Sequence, residues 1–414
     1  MKKIVNVAIL GTHLSWDGGV DFLSYLINGI TTYNPQINII LLLPYNKIAL
    51  AKNFVLKMSE IKSNPSLLFN KNFLRIENRN TPIINSFKIN EFKFKIEYYN
   101  YTERDLVRKL KAVNADIVFP TIKSFGSKFP IPWIGYIPDL QHKYFSDNFS
   151  TKEKKARDHK YQTLINEAKG IIVNSESVKR DLIDFYDVKF NNIFSLPFTP
   201  PAPIPGIIQS EDEIRSKYQL TGPYFIISNQ FWKHKDHLTA FKAFEIFQKR
   251  SPLYKQTKLV CTGRLYDNRF SGYVEKLLLE VNNLDSDGIV FTEFISKSDQ
   301  LSLLNYCLSV IQPTQFEGGP GGGIGYNAIS HGKPIILSDI PINKEVLGEH
   351  IFFFETGNPA SLAIMMEKLF ELHIQNENSI QMLVQSGEER TISLGKHFDT
   401  IFNTITSQWS NTET

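Results

Sequence analysis

Gln312-Pro313-Thr314-Gln315-Phe316-Glu317-Gly318-Gly319-Pro320-Gly321-Gly322-Gly323-Ile324-Gly325-Tyr326-Asn327-Ala328 is the stretch whose reading decides the fold. A short apolar run at residues 309–312 leads into it, and a second one at 334–337 follows it after Gly332-Lys333-Pro334. The order is buried strand, glycine loop, short helix over about 324–331, buried strand, which is one unit of a parallel α/β sheet. Six of the eight positions from Gly318 to Gly325 are glycine. A surface loop needs no such density, whereas a backbone that must turn its N–H groups inward against a phosphate does. A helix starting at its end adds unpaired amides and the positive end of its dipole. Gly319, Gly321, Gly322, Gly323 and Ile324 are therefore candidate diphosphate contacts. Glu317, at the mouth of the loop, is a candidate acceptor for hydroxyl groups.

The same alternation extends outward in both directions. Apolar runs at 224–228, 258–261, 289–291 and 351–354 read as further strands, with helices near 237–249, 270–281, 297–306 and 359–373. Upstream, Pro197 to Pro205 holds five prolines in nine residues, which excludes both helix and central strand and marks a linker. Before it the pattern recurs. Strands are expected at 4–10, 37–43, 117–119, 133–137, 170–173 and 193–196, and helices at 103–112, 151–168 and 176–185. Ser175 is in place to cap the last of these. Residues 53–97 are less regular, with one helix and some strand expected. The predicted organisation is a first domain over 1–200, a second over 207–380, and helices over 381–414 that return to the first. Two such domains face each other across a cleft, and ligands bind beyond the carboxyl ends of their strands.

Composition narrows the function classes. The chain has 414 residues, a formal net charge of +4 and 13% aromatic residues. That charge is too weak to argue for nucleic-acid binding. Cys261 and Cys307 are far apart in apolar settings, with no disulfide framework or zinc spacing, which suggests a reducing compartment. The apolar start of the chain is too short and broken for a signal peptide and reads as a strand, and no run approaches the length of a membrane span. A cytoplasmic protein is expected. Contact with the inner face of a membrane is left open by the basic stretches Lys152–Lys155 and Arg108–Lys111, which solvated helix faces explain equally well. Asp285-Ser286-Asp287 reads as a turn rather than a metal site.

Other loops that follow strands carry ionisable groups. Asn229 to His237 offers two lysines, Lys233 and Lys235, and two histidines, His234 and His237, as cationic donors to a leaving diphosphate. Arg264 follows another strand and could reach phosphate. The loop after residue 137 holds Asp139 and His142, either of which could orient or protonate a hydroxyl. The first turn holds His13, Trp16, Gly18 and Gly19.

Together these loops resemble the GT-B fold glycosyltransferases, in particular glycosyltransferase family 4, over nearly the whole chain. Phe316-Glu317-Gly318 through Ala328, with Gly332-Lys333-Pro334 and Ser338, is similar to that family's donor motif. Asn327 stands where the family has a second glutamate. Lys235 matches its phosphate-binding lysine, while Asn229-Gln230 replaces a Gly-Arg pair. Gly18-Gly19 matches the glycine pair near donor phosphates and acceptor. Asp139 matches the Asp of a His-Asp pair in which Pro138 replaces the His, and His142 is positioned to take that role. Ser175 matches a serine that follows a late strand of the first domain.

The resemblance implies GT-B architecture, meaning two Rossmann-like parallel-sheet domains across a cleft. It also implies transfer of a sugar from a nucleotide-diphosphate sugar with retention of configuration. Catalysis falls to Glu317, Lys235, Asp139 and His142, donor binding to the glycines with Asn229, Lys233, Arg264, Ile324 and Asn327, and acceptor binding to His13, Trp16 and Ser175. No metal and no cofactor beyond the donor substrate are expected. The expected partners are a nucleotide sugar and a glycan or lipid-linked acceptor, with no nucleic acid; the oligomeric state is open. A GT-B epimerase, a sugar phosphorylase and a non-catalytic relative remain as alternatives.

Overall fold

A computed structural model describes residues 6–11, 17–45, 58, 94–100, 102–188, 192–203, 206–267, 269–372 and 380–412. Two sheets, each wholly parallel, organise the chain. The first is built from β1 (Asn6–Leu10), β2 (Asn38–Tyr45), β3 (Phe94–Asn100), β4 (Ile117–Thr121), β5 (Trp133–Ile137), β6 (Gly170–Val173) and β7 (Ile193–Ser195). Their spatial order is β3-β2-β1-β4-β5-β6-β7. The second comprises β8 (Tyr224–Ser228), β9 (Lys258–Thr262), β10 (Ile289–Glu293), β11 (Ser309–Gln312), β12 (Ile335–Ser338) and β13 (Ile351–Phe354), ordered β10-β9-β8-β11-β12-β13. The order reverses between β1 and β4 in the first sheet and between β8 and β11 in the second. Each reversal opens a crevice beyond the strand ends, where ligands of such sheets bind.

Strands covered on both faces need apolar residues at successive positions, and the central ones have them. Alternate residues then feed opposite layers. Ile172 packs with Val7, Ile9 and Phe119 on one face of the first sheet, while Ile171 and Val173 pack with Leu10 and Trp133 on the other. Phe225 and Ile227 face one layer of the second domain, and Tyr224 and Ile226 the other.

The helices are α1 (Asp17–Tyr33), α2 (Glu103–Ala112), α3 (Gln141–Tyr144), α4 (Thr151–Glu167), α5 (Glu176–Phe185), α6 (Glu211–Lys217), α7 (His237–Arg250), α8 (Tyr273–Asn282), α9 (Lys297–Tyr306), α10 (Gly322–Ser330), α11 (Pro359–Leu372) and α12 (Ile380–Thr412). Their starts follow local chemistry. Ser150 and Ser210 form capping boxes with Glu153 and Glu213, and Ser175 and Ser296 accept from the third amide of their helices. The sequence signal missed α3 and α6, each too short to show a periodic face. Most of the irregular stretch at 53–97 lies outside the described residues, and its end forms β3, a full parallel strand.

α12 lies against α1. Its Leu394, Phe398, Ile401, Phe402 and Ile405 complete one layer of the first domain. Glycines allow the approach: a Cβ on Gly395 would sit 2.0 Å from the Gly29 carbonyl oxygen. The proline segment is held along its path. Arg390 Nε donates to Pro200 O (2.6 Å), Ser330 Oγ donates to Pro201 O (2.7 Å), and Tyr25 bonds Thr199. No helix among the described residues is long and apolar enough to cross a membrane.

Candidate functional site

The two loops that flank the reversal in the second sheet are bonded to each other. After β8, one tight turn at Lys233–Lys235 ends on Asp236, whose backbone is left-handed (φ 49°) and whose side chain caps α7 through Thr239. The β11 loop docks on this turn. Gln315 N and Thr314 Oγ donate to His234 O (2.8 and 3.2 Å), and Gln315 Nε2 donates to Asp236 Oδ2 (2.9 Å).

This docking brings Lys235 to Glu317, and the two side chains form an ion pair, each about one-tenth exposed. Gln312, fully buried at the end of β11, donates from Nε2 to Glu317 Oε1 (2.8 Å) and to Gly321 O (3.3 Å). Asn229 in turn donates to Gln312 Oε1. Asn229, Gln312, Glu317 and Lys235 thus form one connected polar network at the crevice.

The glycine loop wraps this network. Gly321 and Gly322 both have left-handed backbones (φ 64° and 59°), where side chains are disfavoured. A Cβ on Gly322 would sit 2.7 Å from Gln312 Nε2 and 3.1 Å from Glu317 Oε1. Gly321 N donates to Asn343 Oδ1 (3.1 Å). α10 begins at Gly322, two residues earlier than the sequence suggests, so Gly323 and Ile324 supply amides of its first turn, where a helix has no carbonyl of its own to bond. Gly323 is exposed with open space around it. The Ile324 side chain is in the core, so only its backbone is available to a ligand.

Across the cleft the loop faces the first domain. A Cβ on Gly318 would meet Pro138 O at 2.8 Å and Asp139 Cβ at 3.2 Å, and one on Gly319 would lie 3.6 Å from Asn174 Cβ. Asp139 is therefore opposite the glycine loop. Its Oδ1 accepts from Gln141 N (3.0 Å), with Arg157 Nη1 at 3.9 Å. Gly18 and Gly19 are in the first turn of α1 rather than in a free turn, and His13 and Trp16 lie outside the described residues.

Several expected site residues are placed elsewhere. His142 does not face the cleft: it is buried, and its Nε2 is 2.9 Å from Asp158 Oδ1 and 3.3 Å from the Tyr186 hydroxyl. Burial lowers its pKa, partly offset by Asp158. Its apolar neighbours Phe149 and Tyr161 claim the ring for the core. Ser175 is fully buried, and its hydroxyl accepts from Val178 N (3.1 Å); the cap uses the group that acceptor binding needs. Lys233 and Arg264 stand apart from the network, each exposed and lying over a ring, Phe270 and Phe294 respectively, at 5.1 Å. Asn327 is half-buried on α10, and its carbonyl accepts from His331.

Arg269, Gln312 and Asn343 escaped the sequence reading. Arg269 lies over Trp232 (4.7 Å), approaches His234 Nδ1 (3.3 Å), and reaches across the cleft to Gln141 Oε1 (3.0 Å). His234 and His237 both have pKa values lowered to about 3, by burial first and the Lys235 charge second. Both stay neutral, so neither is the cationic donor that the sequence suggests, and the cationic character of the turn comes from its lysines and Arg269. Gln312 and Asn343 carried no signal because a lone buried amide looks like any other residue beside a strand.

Residues 210–386 match the family model of the glycosyl transferases group 1, a stretch that spans the whole second sheet. That stretch is similar to the group 1 glycosyl transferases, and the two parallel-sheet domains have the GT-B fold. Solved structures support the fold over the full length. A glycosyltransferase from Rickettsia africae is 12% identical, with 98% of this chain and 99% of that one covered and a TM-score of 0.61. Anabaena HepE in complex with UDP and glucose is 14% identical over 99% of both chains, with a TM-score of 0.57. Sucrose-phosphate synthase from Thermosynechococcus elongatus is 13% identical over 100% and 98%, also at 0.57. No curated protein sequence matches the chain.

Proposed function

We propose that this protein is a glycosyltransferase that moves a sugar from a nucleotide-diphosphate sugar to a hydroxyl of a glycan or lipid-linked acceptor, with retention of configuration, in surface polysaccharide synthesis. The observation that carries the proposal is the Lys235–Glu317 pair held beneath the glycine loop at the reversal of the second sheet. Amides at the start of α10 and the Lys235 ammonium stabilise the departing diphosphate. Glu317 accepts from the sugar hydroxyls. The bond from the anomeric carbon to the phosphate oxygen breaks with its electron pair leaving on the diphosphate. The acceptor oxygen attacks on the same face, and its proton passes to the departing phosphate oxygen. This scheme needs no metal, cofactor or pair of acid and base side chains. His142 and Ser175 have no part in it, and Asp139, opposite Gly318, is left to orient the acceptor. HepE, which shares the fold, was captured with UDP and glucose, in keeping with such a donor.

A panel of nucleoside diphosphates and their sugars, measured by thermal shift, tests the proposal. At least one raises the midpoint, and the matching nucleotide sugar is then consumed when an acceptor is present. If none stabilises the protein, the donor site is misassigned. Asn327, which cannot act as a carboxylate, favours a second reading as a non-catalytic binder. That reading requires stabilisation with neither transfer nor hydrolysis. Turnover of donor without acceptor would instead indicate an epimerase.

A further inference from the structure

Between β12 and β13 the chain makes one tight turn, Pro341–Glu345, and three of its residues engage different parts of the molecule. Asn343 has no exposed surface. Its Nδ2 donates to Ser338 O (2.9 Å) and Ser338 Oγ (3.1 Å), and its Oδ1 accepts from Gly321 N (3.1 Å). The side chain is thus fixed at both ends, and it holds the first of the two left-handed glycines of the loop. Ile342 leaves its own domain and packs in the layer formed by Leu140, Val178 and Leu182 of the first. Glu345 also crosses the cleft. Its Oε2 accepts from Glu176 N (2.8 Å), and its Oε1 accepts from Ser177 N (2.7 Å) and from the Ser177 hydroxyl.

We propose that this turn couples closure of the cleft to the shape of the glycine loop, with Glu345 as a latch on the first domain and Asn343 as the residue that positions Gly321. The part concerning the loop rests on its reading as the donor site. A carboxylate on the first amides of a helix is favoured by their unpaired N–H groups and by the helix dipole. When the domains separate, those same groups and the carboxylate are hydrated. The net gain on closing is therefore modest, which suits a reversible latch rather than a permanent joint. Closure seats Ile342 and Glu345 on the first domain, and the same turn presses Asn343 against Gly321. A donor that orders the loop therefore favours the closed form, and a closed form favours the donor, because linkage runs both ways. The steric fit agrees: Gly318 can meet Pro138 only when the domains are together.

The test uses Glu345→Ala and Glu345→Gln in the full chain. Gln keeps the shape but sets an NH2 group against an N–H donor. Small-angle scattering without ligand should show a larger radius of gyration in Glu345→Ala, with Glu345→Gln between it and the wild type. Amides at 321–324 should exchange about tenfold faster in Glu345→Ala, although the substitution is far from them in sequence. Donor binding should weaken by a similar factor, with the rate at saturating donor changed less, because only the closed fraction binds tightly. Scattering and exchange curves that superpose on the wild type overturn the latch. An expanded protein whose 321–324 amides exchange at the wild-type rate overturns the coupling through Asn343. Ser177→Ala, which removes only a hydroxyl, repeats the scattering measurement if Glu345→Ala does not fold. A wild type that binds no nucleotide would sink the donor reading, while scattering and exchange still judge the latch.

Discussion

At the scale of single residues, the candidate site holds one buried-edge ion pair, with two buried histidines beside it that stay neutral. Lys235 and Glu317 each lose their chief partner if the other is removed, but Gln312 still donates to Glu317. Lys235→Ala and Glu317→Ala should each lower transfer by about a hundredfold or more, the usual effect of removing one donor to a developing charge. Both variants should still unfold in one cooperative transition. Wild-type rates in steady-state assays of either would refute the site. His237 is buried with neither ring nitrogen bonded, stacked on Phe231 at 4.2 Å. Its folded pKa of about 3 lies below the unfolded value near 6.5. In that window the unfolded chain binds the proton and the folded one does not, so stability is full above about pH 6.5 and falls as pH drops towards 3. The slope is about 1.4 kcal/mol per pH unit for each such histidine, and His234 adds to it. His237→Phe should flatten this acid limb in urea melts between pH 6.5 and 4.5. Parallel curves for variant and wild type would show that another group controls it.

At the scale of elements, much was legible and the reason is physical. Strands such as β8 and β11 are apolar at successive positions because both faces are covered, and that composition is visible without a structure. Ser175 announced the start of α5 through local capping chemistry. The glycine loop was legible because its backbone demands glycine at Gly321 and Gly322. What could not be read were side-chain directions set by distant partners. His142 sits one residue past Gln141, which reaches the cleft, yet a helix sends neighbours to different sides, and Asp158 and Tyr186 claim the ring. Arg269 was passed over in favour of Arg264 because nothing near it in sequence shows that Gln141 lies across the cleft. The meeting of α1 and α12 is equally non-local, and it yields its own prediction. Gly395→Val places carbon atoms where the Gly29 carbonyl stands, so it should part the helices and lower the thermal midpoint by several degrees. An unchanged midpoint would mean that the crossing tolerates more space than its geometry shows.

At the scale of the whole molecule, the two sheets and their order follow from the repeating units, whereas the way they meet follows from a handful of contacts. Arg269 to Gln141, Glu345 to the start of α5, and Gly318 against Pro138 all join loops that lie beyond strand ends. Those loops carry the candidate site, so the contacts that close the molecule lie beside it. The return of α12 to the first domain adds something these contacts do not. The chain passes between the domains twice, once through the proline segment and once before α12, so the second domain is tethered at both its ends. A body on two tethers swings about the line that joins them but does not spin or drift away. A single protease cut within 197–206 would therefore leave two fragments that co-migrate under native conditions, held together by the final helix docked on the first domain.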